Sequence, residues 1–241
     1  KGGKEQVTIA SVTRSSPFRL GTLVSIGSVN LTRDFGVMAR QDAYPVLHEH
    51  QFYVAKLHGL FSFNLREAGK FYSHRRSGFQ NLDPVRVEIA KAQNLAFSEA
   101  ERVFRLPLAE RARRVRSLLL GLGRLTGGAK QSTHYTDVSP AVIIAAVMRT
   151  GNHPFNYLFN FNKESGKIEF SLDVFQRAVE DVYNHNLLLS PVYVGWKPGF
   201  LPEERAKVEA LTWDMLRLTT PLAATAELAE FITANPGVMD Q

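Results

Sequence analysis

The chain has 241 residues, with 29 Lys and Arg against 23 Asp and Glu, and its formal net charge of +6 favours polyanionic partners. At 44% hydrophobic and 22% charged residues it has the make-up of a globular protein of one large or two small domains, which excludes disordered and fibrous classes. The absence of cysteine excludes disulfides, thiolate zinc sites, iron–sulfur clusters and a cysteine nucleophile, and fits a reducing compartment.

The longest unbroken apolar run, Ala141 to Met148, is far short of the roughly 18 residues a bilayer span needs, and Lys1 to Gln6 contains no signal-peptide core. A soluble, cytoplasmic protein without a membrane partner is expected. The chain opens on Lys1-Gly2-Gly3-Lys4 and not on methionine, which reads as the tail of a loop, so an N-terminal part is expected to be missing.

In chain order, Val7 to Val12, Leu23 to Ile26 and Val29 to Leu31 are β-branched and apolar and predict two or three strands, with a polar elbow at Arg14-Ser15-Ser16-Pro17. Thr32 to His50 shows no sustained period and reads as a long loop or splayed hairpin. The dense aromatics of Gln51 to Leu65 predict a central, well-buried strand. Asp83-Pro84 predicts a capped helix over 85–92, and Pro107 opens a longer helix to about Leu125. In that helix Leu108, Ala112, Val115, Leu119 and Leu122 recur at three- and four-residue steps and form a buried stripe, with Arg111, Arg113, Arg114 and Arg124 mostly off it. A polar loop over 129–137 leads into a buried strand within Ala141 to Met148. A turn at Asn162 to Gly166, a strand at Ile168 to Phe170, a helix from Leu172 to Asn184, a strand at Ser190 to Trp196 and helices near Pro202 and Pro221 complete the pattern. The layout is α+β, with a mostly antiparallel sheet covered by helices on one side.

Several groups invite a chemical reading. His48-Glu49-His50 places two imidazoles on one face only if it is a strand, and no third ligand stands nearby, so solvated histidines compete with a metal site. Lys130, His134 and Tyr135 offer a base and a cation for metal-independent RNA cleavage but no defined second acid. No phosphate-binding Walker loop, nucleophile elbow or dinucleotide fingerprint occurs. No catalytic residue, metal or cofactor is assigned.

The basic residues say more. Arg105, Arg111, Arg113, Arg114, Arg116, Arg124 and Lys130 face a single acid, Glu110, and the helix delivers the chain into Gly127-Gly128-Ala129-Lys130-Gln131-Ser132-Thr133. Two glycines let backbone N–H groups converge on an anion, a lysine adds charge, and Gln, Ser and Thr add neutral donors, a set suited to a phosphodiester backbone. A plain helix C-cap is the competing reading. In the Thr32 to His50 segment, Phe35 and Met38 are either a satellite of the core or an apolar tip that wedges between bases, flanked by Arg33 and Arg40.

The stretch Gly127 to Pro140, with Arg149-Thr150-Gly151-Asn152-His153-Pro154-Phe155, resembles the backbone subunit of type I CRISPR surveillance complexes (Cascade), nearest the DevR-like autoregulator group of subtype I-B. Further likenesses are Val24 to Arg40, His48 to Tyr53, Lys56 to Ser62, Leu106 to Arg111 and Ser190 to Trp196, so the resemblance covers most of the chain. It implies an RNA-recognition-motif-like (ferredoxin-like) palm with inserted finger and thumb. The implied division is finger-to-palm strands over 1–31, a thumb over 32–50 and a palm with C-terminal helices over 51–241, in one domain. The implied partners are guide RNA (crRNA), copies of the chain stacked head to tail, other effector subunits, and target DNA through the guide. The RNA-binding residues on this reading are Gly127, Gly128, Ala129, Lys130, Gln131, Ser132, Thr133 and His134 with Arg14, Arg19, Arg33 and Arg40, and Phe35 and Met38 displace bases. The family opens with a strand, a helix and most of a finger insertion that have no counterpart here. A guide-processing endonuclease of the same palm type and a duplex-DNA-binding regulator are the alternatives, the second without a recognisable helix-turn-helix.

Overall fold

The computed structural model describes residues 11–39, 44–128 and 130–241. Within them the chain forms β1 (Phe18–Leu20), β2 (Val24–Ser25), β3 (Thr32–Met38), β4 (Val46–Phe52), β5 (Leu57–His58), β6 (Phe61–Phe63), a 3-10 turn (Leu65–Glu67) and β7 (Lys70–Tyr72). Then come α1 (Pro84–Ala92), β8 (Ala96–Ser98), β9 (Val103–Arg105), α2 (Leu108–Gly123), α3 (Gln131–His134) and β10 (Val142–Ala145). The remainder is β11 (Phe159–Asn162), β12 (Lys167–Phe170), α4 (Leu172–Asn184), β13 (Val192–Trp196), α5 (Pro202–Glu209), β14 (Leu216–Thr219), α6 (Pro221–Ala234) and a last 3-10 turn (Pro236–Asp240). The helix starts follow local chemistry. The Asp83 carboxylate accepts from Arg86 N–H at 2.8 Å with Pro84 in the first turn, and the Thr220 hydroxyl accepts from Ala223 N–H at 3.3 Å ahead of α6.

The centre is β13, antiparallel to β10 on one side and parallel to β14 on the other, the parallel link running through α5. Alternation along these strands divides the interior. Ile143 and Tyr193 join a core with Ala112, Val115 and Leu119 of α2 and Ala224, Leu228 and Ile232 of α6. Val192, Val194 and Trp196 face a second core with Phe175 and Val179 of α4, Val208 of α5 and Phe170 of β12. All five residues of β13 are buried, and the Trp196 indole N–H finds its acceptor in the Phe200 carbonyl at 2.6 Å. The sheet is thus covered on both faces, not one. A strand reading Val-Tyr-Val-Gly-Trp has no polar side to give to water.

Other expectations are corrected as well. The described residues form six small sheets, not one, and β14 was not foreseen. Gln51 to Leu65 is no central strand: it breaks into the end of β4, β5 and β6, with Tyr53 exposed and Phe61 and Phe63 half-buried at the rim of the α2–α6 core. Aromatic density is met equally well by a core rim, and Lys56, His58 and Gly59 interrupt the run. Val29 to Leu31 is not strand; pairing begins at Thr32, where the splayed-hairpin alternative for Thr32 to His50 is the one realised. Of the strand expected over Val7 to Val12, residues 7–10 lie outside the described residues, and Ser11 and Val12 carry none. Among the described residues no helix is long and apolar enough to cross a membrane.

Candidate nucleic-acid interface

The cations of α2 and its surroundings divide into two groups. Arg111 is buried: its Nε donates to Ala68 O at 2.7 Å, its Nη2 to Leu65 O at 3.2 Å and Arg66 O at 3.3 Å, and its two terminal nitrogens to the Asp240 carboxylate at 2.9 and 3.2 Å. It was expected off the buried stripe. Yet it stands three residues after Leu108 and four before Val115, so the helical period puts it on the stripe, and its charge is satisfied by the 3-10 turn and the C-terminal segment. Arg113 and Arg114 share Glu110, whose carboxyl their hydrogen bonds pull down to about 2, and Arg105 pairs with Glu101. Arg116, Arg124 and Lys130 are exposed and have no carboxylate partner among the described residues.

The loop that follows has a defined course. α2 closes on Arg124, whose N–H donates to Gly121 O at 3.1 Å, so the glycines at 127 and 128 are not its cap. Gly128 takes φ +92°, a left-handed turn, and its carbonyl accepts from Gln131 N–H at 3.1 Å. Lys130 (φ +48°) and Tyr135 (φ +42°) bracket the single turn α3. The Gln131 side chain holds its own loop, accepting from Thr136 N–H at 3.0 Å and donating to Thr136 O at 2.5 Å, so it is not the free donor the sequence offered. Lys130, Ser132 and Tyr135 are exposed, Tyr135 at 93%. Beyond the turn, Asp137 accepts from Lys197 and from Ser139, which hold its carboxyl far below the usual carboxylate range and anchor the loop beside the end of β13. Ala129 and the Thr133 side chain lie outside the described residues.

The β3–β4 hairpin comes to this loop. Its register pairs Thr32 with Phe52, Asp34 with His50, Gly36 with His48 and Met38 with Val46, and directly paired residues share a face. On that face His48 and His50 meet edge to face at 4.7 Å, His50 and Phe52 follow at 6.2 Å, and the Phe52 ring meets the ring of His134 at 5.2 Å and 76°. The two segments singled out separately in the sequence therefore touch. Gly36 lies under His48, where a Cβ would come within 2.6 Å of Nε2. Two imidazoles do share a strand face, but among the described residues no group of three metal-ligating side chains occurs.

The opposite face carries Phe35, Val37 and Leu47, exposed at 71%, 59% and 75%, with Arg33 paired to Glu49 at 3.3 Å. Phe35 and Met38 thus project from opposite faces, because they stand an odd number of residues apart on one strand. Neither is core, since Met38 is 51% exposed. Arg40 lies outside the described residues.

Arg19 is exposed on β1, but Arg14 is a structural clamp: its Nη2 donates to Glu67 O at 2.6 Å, and its guanidinium lies 4.7 Å over the Phe71 ring. Burial lowers its pKa, partly offset by Glu67. An open groove of about 370 Å³ lies elsewhere, between Val54–Lys56, Phe161, Lys167 and Phe200. The sequence reading passed over Arg75-Arg76-Ser77-Gly78, although Ser-Gly is a turn signal. No family model, no curated protein and no solved structure matches this chain.

Proposed function

We propose that the chain is a guide-RNA-binding backbone subunit of a type I CRISPR surveillance complex, acting as a positioning scaffold and not as an enzyme. The observation that carries this reading is the Phe52–His134 contact. It joins a hairpin with an exposed apolar face to a glycine loop that presents Lys130, which follows the exposed Arg116 and Arg124 along the chain, none of the three with a carboxylate partner among the described residues. The pairing fits a strand gripped by its phosphates at the loop while an apolar side chain intrudes on its bases at the hairpin. The sheet around β13 is the counterpart of an RNA-recognition-motif-like palm, and because both its faces are covered, RNA is held by the loop and hairpin and not on the open sheet. The sequence resemblance supplies the guide, the head-to-tail copies and the partner subunits.

The test is binding of single-stranded RNA of increasing length, followed by fluorescence anisotropy and sedimentation. Affinity should fall with salt, each neutralised phosphate adding about 0.7 to the log–log slope, and longer RNA should carry more copies. Lys130→Ala should weaken binding and leave the melting temperature unchanged. A salt-independent affinity, or one copy on RNA of every length, refutes the proposal.

A further inference from the structure

Between β7 and α1 the chain reverses in two residues. Arg76 N–H donates to Phe79 O at 2.9 Å and Phe79 N–H to Arg76 O at 2.8 Å, with Ser77 at φ +47° and Gly78 at φ +82°. Two successive left-handed residues make a type I′ turn, a rigid one. Arg75 through Gly78 are exposed, and Phe79 keeps 39% of its area in water. The Arg76 guanidinium lies 4.7 Å over the Tyr72 ring, and the Tyr72 hydroxyl donates to the Glu67 carboxylate at 3.2 Å, so the cation is held in place from below. Exposed Arg102 stands alongside, its carbonyl accepting from Ser73 N–H at 2.9 Å and from the Ser73 hydroxyl at 3.0 Å. Among the described residues, Arg75, Arg76 and Arg102 have no carboxylate partner, and the Ser77 and Gly78 N–H groups have no acceptor. A Cβ on Gly78 would meet nothing within 4 Å, so among the described residues no side chain packs on the apex.

We propose that this turn is a second phosphate clamp for single-stranded nucleic acid, remote in sequence from the Gly127–His134 loop. The guanidiniums of Arg75 and Arg76 and the apical N–H groups take phosphate oxygens, and the Phe79 ring takes the face of an adjoining base. Charge alone would suit an acidic protein equally. A half-exposed ring next to unpaired cationic and backbone donors is the pattern for a strand whose backbone is gripped while its bases stack. Pre-positioning of Arg76 on Tyr72 lowers the ordering cost of each contact.

The proposal rests on the RNA-binding reading, and the experiment separates the two. A fluorescein-labelled single-stranded RNA is titrated with the wild-type chain, with Lys130→Ala and with Arg75→Gln/Arg76→Gln across a range of salt. Each lost phosphate contact should lower the log–log slope by about 0.7, so the double variant should lose about 1.4 in slope and roughly 25-fold in affinity at about 0.1 M salt. Arg75→Gln alone, at an exposed residue, should show half the change in slope and keeps the test open if the Arg76 stack is needed for folding. A wild-type chain that does not bind RNA overturns the functional reading and the clamp with it. Wild-type binding that Lys130→Ala weakens but neither arginine variant alters overturns the clamp alone. Loss of polyglutamate binding in the double variant with RNA binding intact assigns the turn to an acidic protein and also overturns it.

Discussion

Replacing Arg111 by Met tests whether this cation serves the fold or the ligand. The aliphatic part of the side chain is retained, and the lost interactions are those of the guanidinium. The Ala68 carbonyl, on a residue 4% exposed, is left without its donor, which costs about 1 to 3 kcal/mol. The Leu65 carbonyl keeps the Ala68 N–H as a donor at 3.2 Å, and Arg66 is an exposed residue, so these two acceptors add little to the cost. The Asp240 side chain is 46% exposed, so losing its pair costs on the order of 1 kcal/mol, as at a surface. The total is about 3 kcal/mol, which lowers the melting temperature of a chain this long by roughly 6 to 12 °C. The acid side gives an independent check. The Arg111 hydrogen bonds hold the Asp240 carboxyl below its ordinary range, so its stabilisation is present above an unfolded pKa of about 3.9 and is lost as pH falls through the lower folded value. The gap between wild type and Arg111→Met, followed by circular dichroism, should therefore narrow below about pH 4. A variant that melts like wild type while its RNA binding collapses would refute the structural assignment and return Arg111 to the ligand-facing set.

Gly195→Ala should destabilise by about 3 kcal/mol or prevent folding, because its Cβ would stand 2.5 Å from Pro221 Cα and 2.8 Å from Ile143 Cγ2. Gly121→Ala, inside α2 with nothing within 4 Å of the added carbon, should instead stabilise by about 0.5 to 1 kcal/mol, and urea midpoints compare the two directly. Phe52→Ala removes the ring that His134 packs on, so amide exchange at His134 and Tyr135 should quicken while β13 keeps its protection; an unchanged loop would show that the hairpin does not hold it. Phe35→Ala and Met38→Ala should each fold with stability within about 0.5 kcal/mol of wild type. Because the two side chains leave opposite faces of the hairpin, only one of them should change the chemical-probing pattern of bound RNA, and equal effects from both would contradict a single intruding side chain.

What was legible in the sequence is what is bonded within a few residues. Asp83 caps α1 three residues on, Thr220 caps α6 three residues on, and Asn162 Oδ1 accepts from the N–H groups of Glu164 and Ser165 in the β11–β12 turn. Such bonds depend on residue type and spacing alone, and so did the buried stripe of α2, where Ala112, Val115 and Leu119 are found. In the candidate site the same locality exposed the glycine loop and the hairpin as separate pieces. Their meeting through Phe52 and His134 was not legible, because nothing near either residue in the chain names its partner. The same holds for the side chain of Arg111, which finds its carboxylate 129 residues away, and for β14, which becomes a strand by pairing with β13. Residue type and spacing determined where most helices and turns begin and that the chain is basic. Only the tertiary structure decided which of those charges are consumed inside the fold, because burial and ion pairing depend on which distant segments fill the space around a side chain.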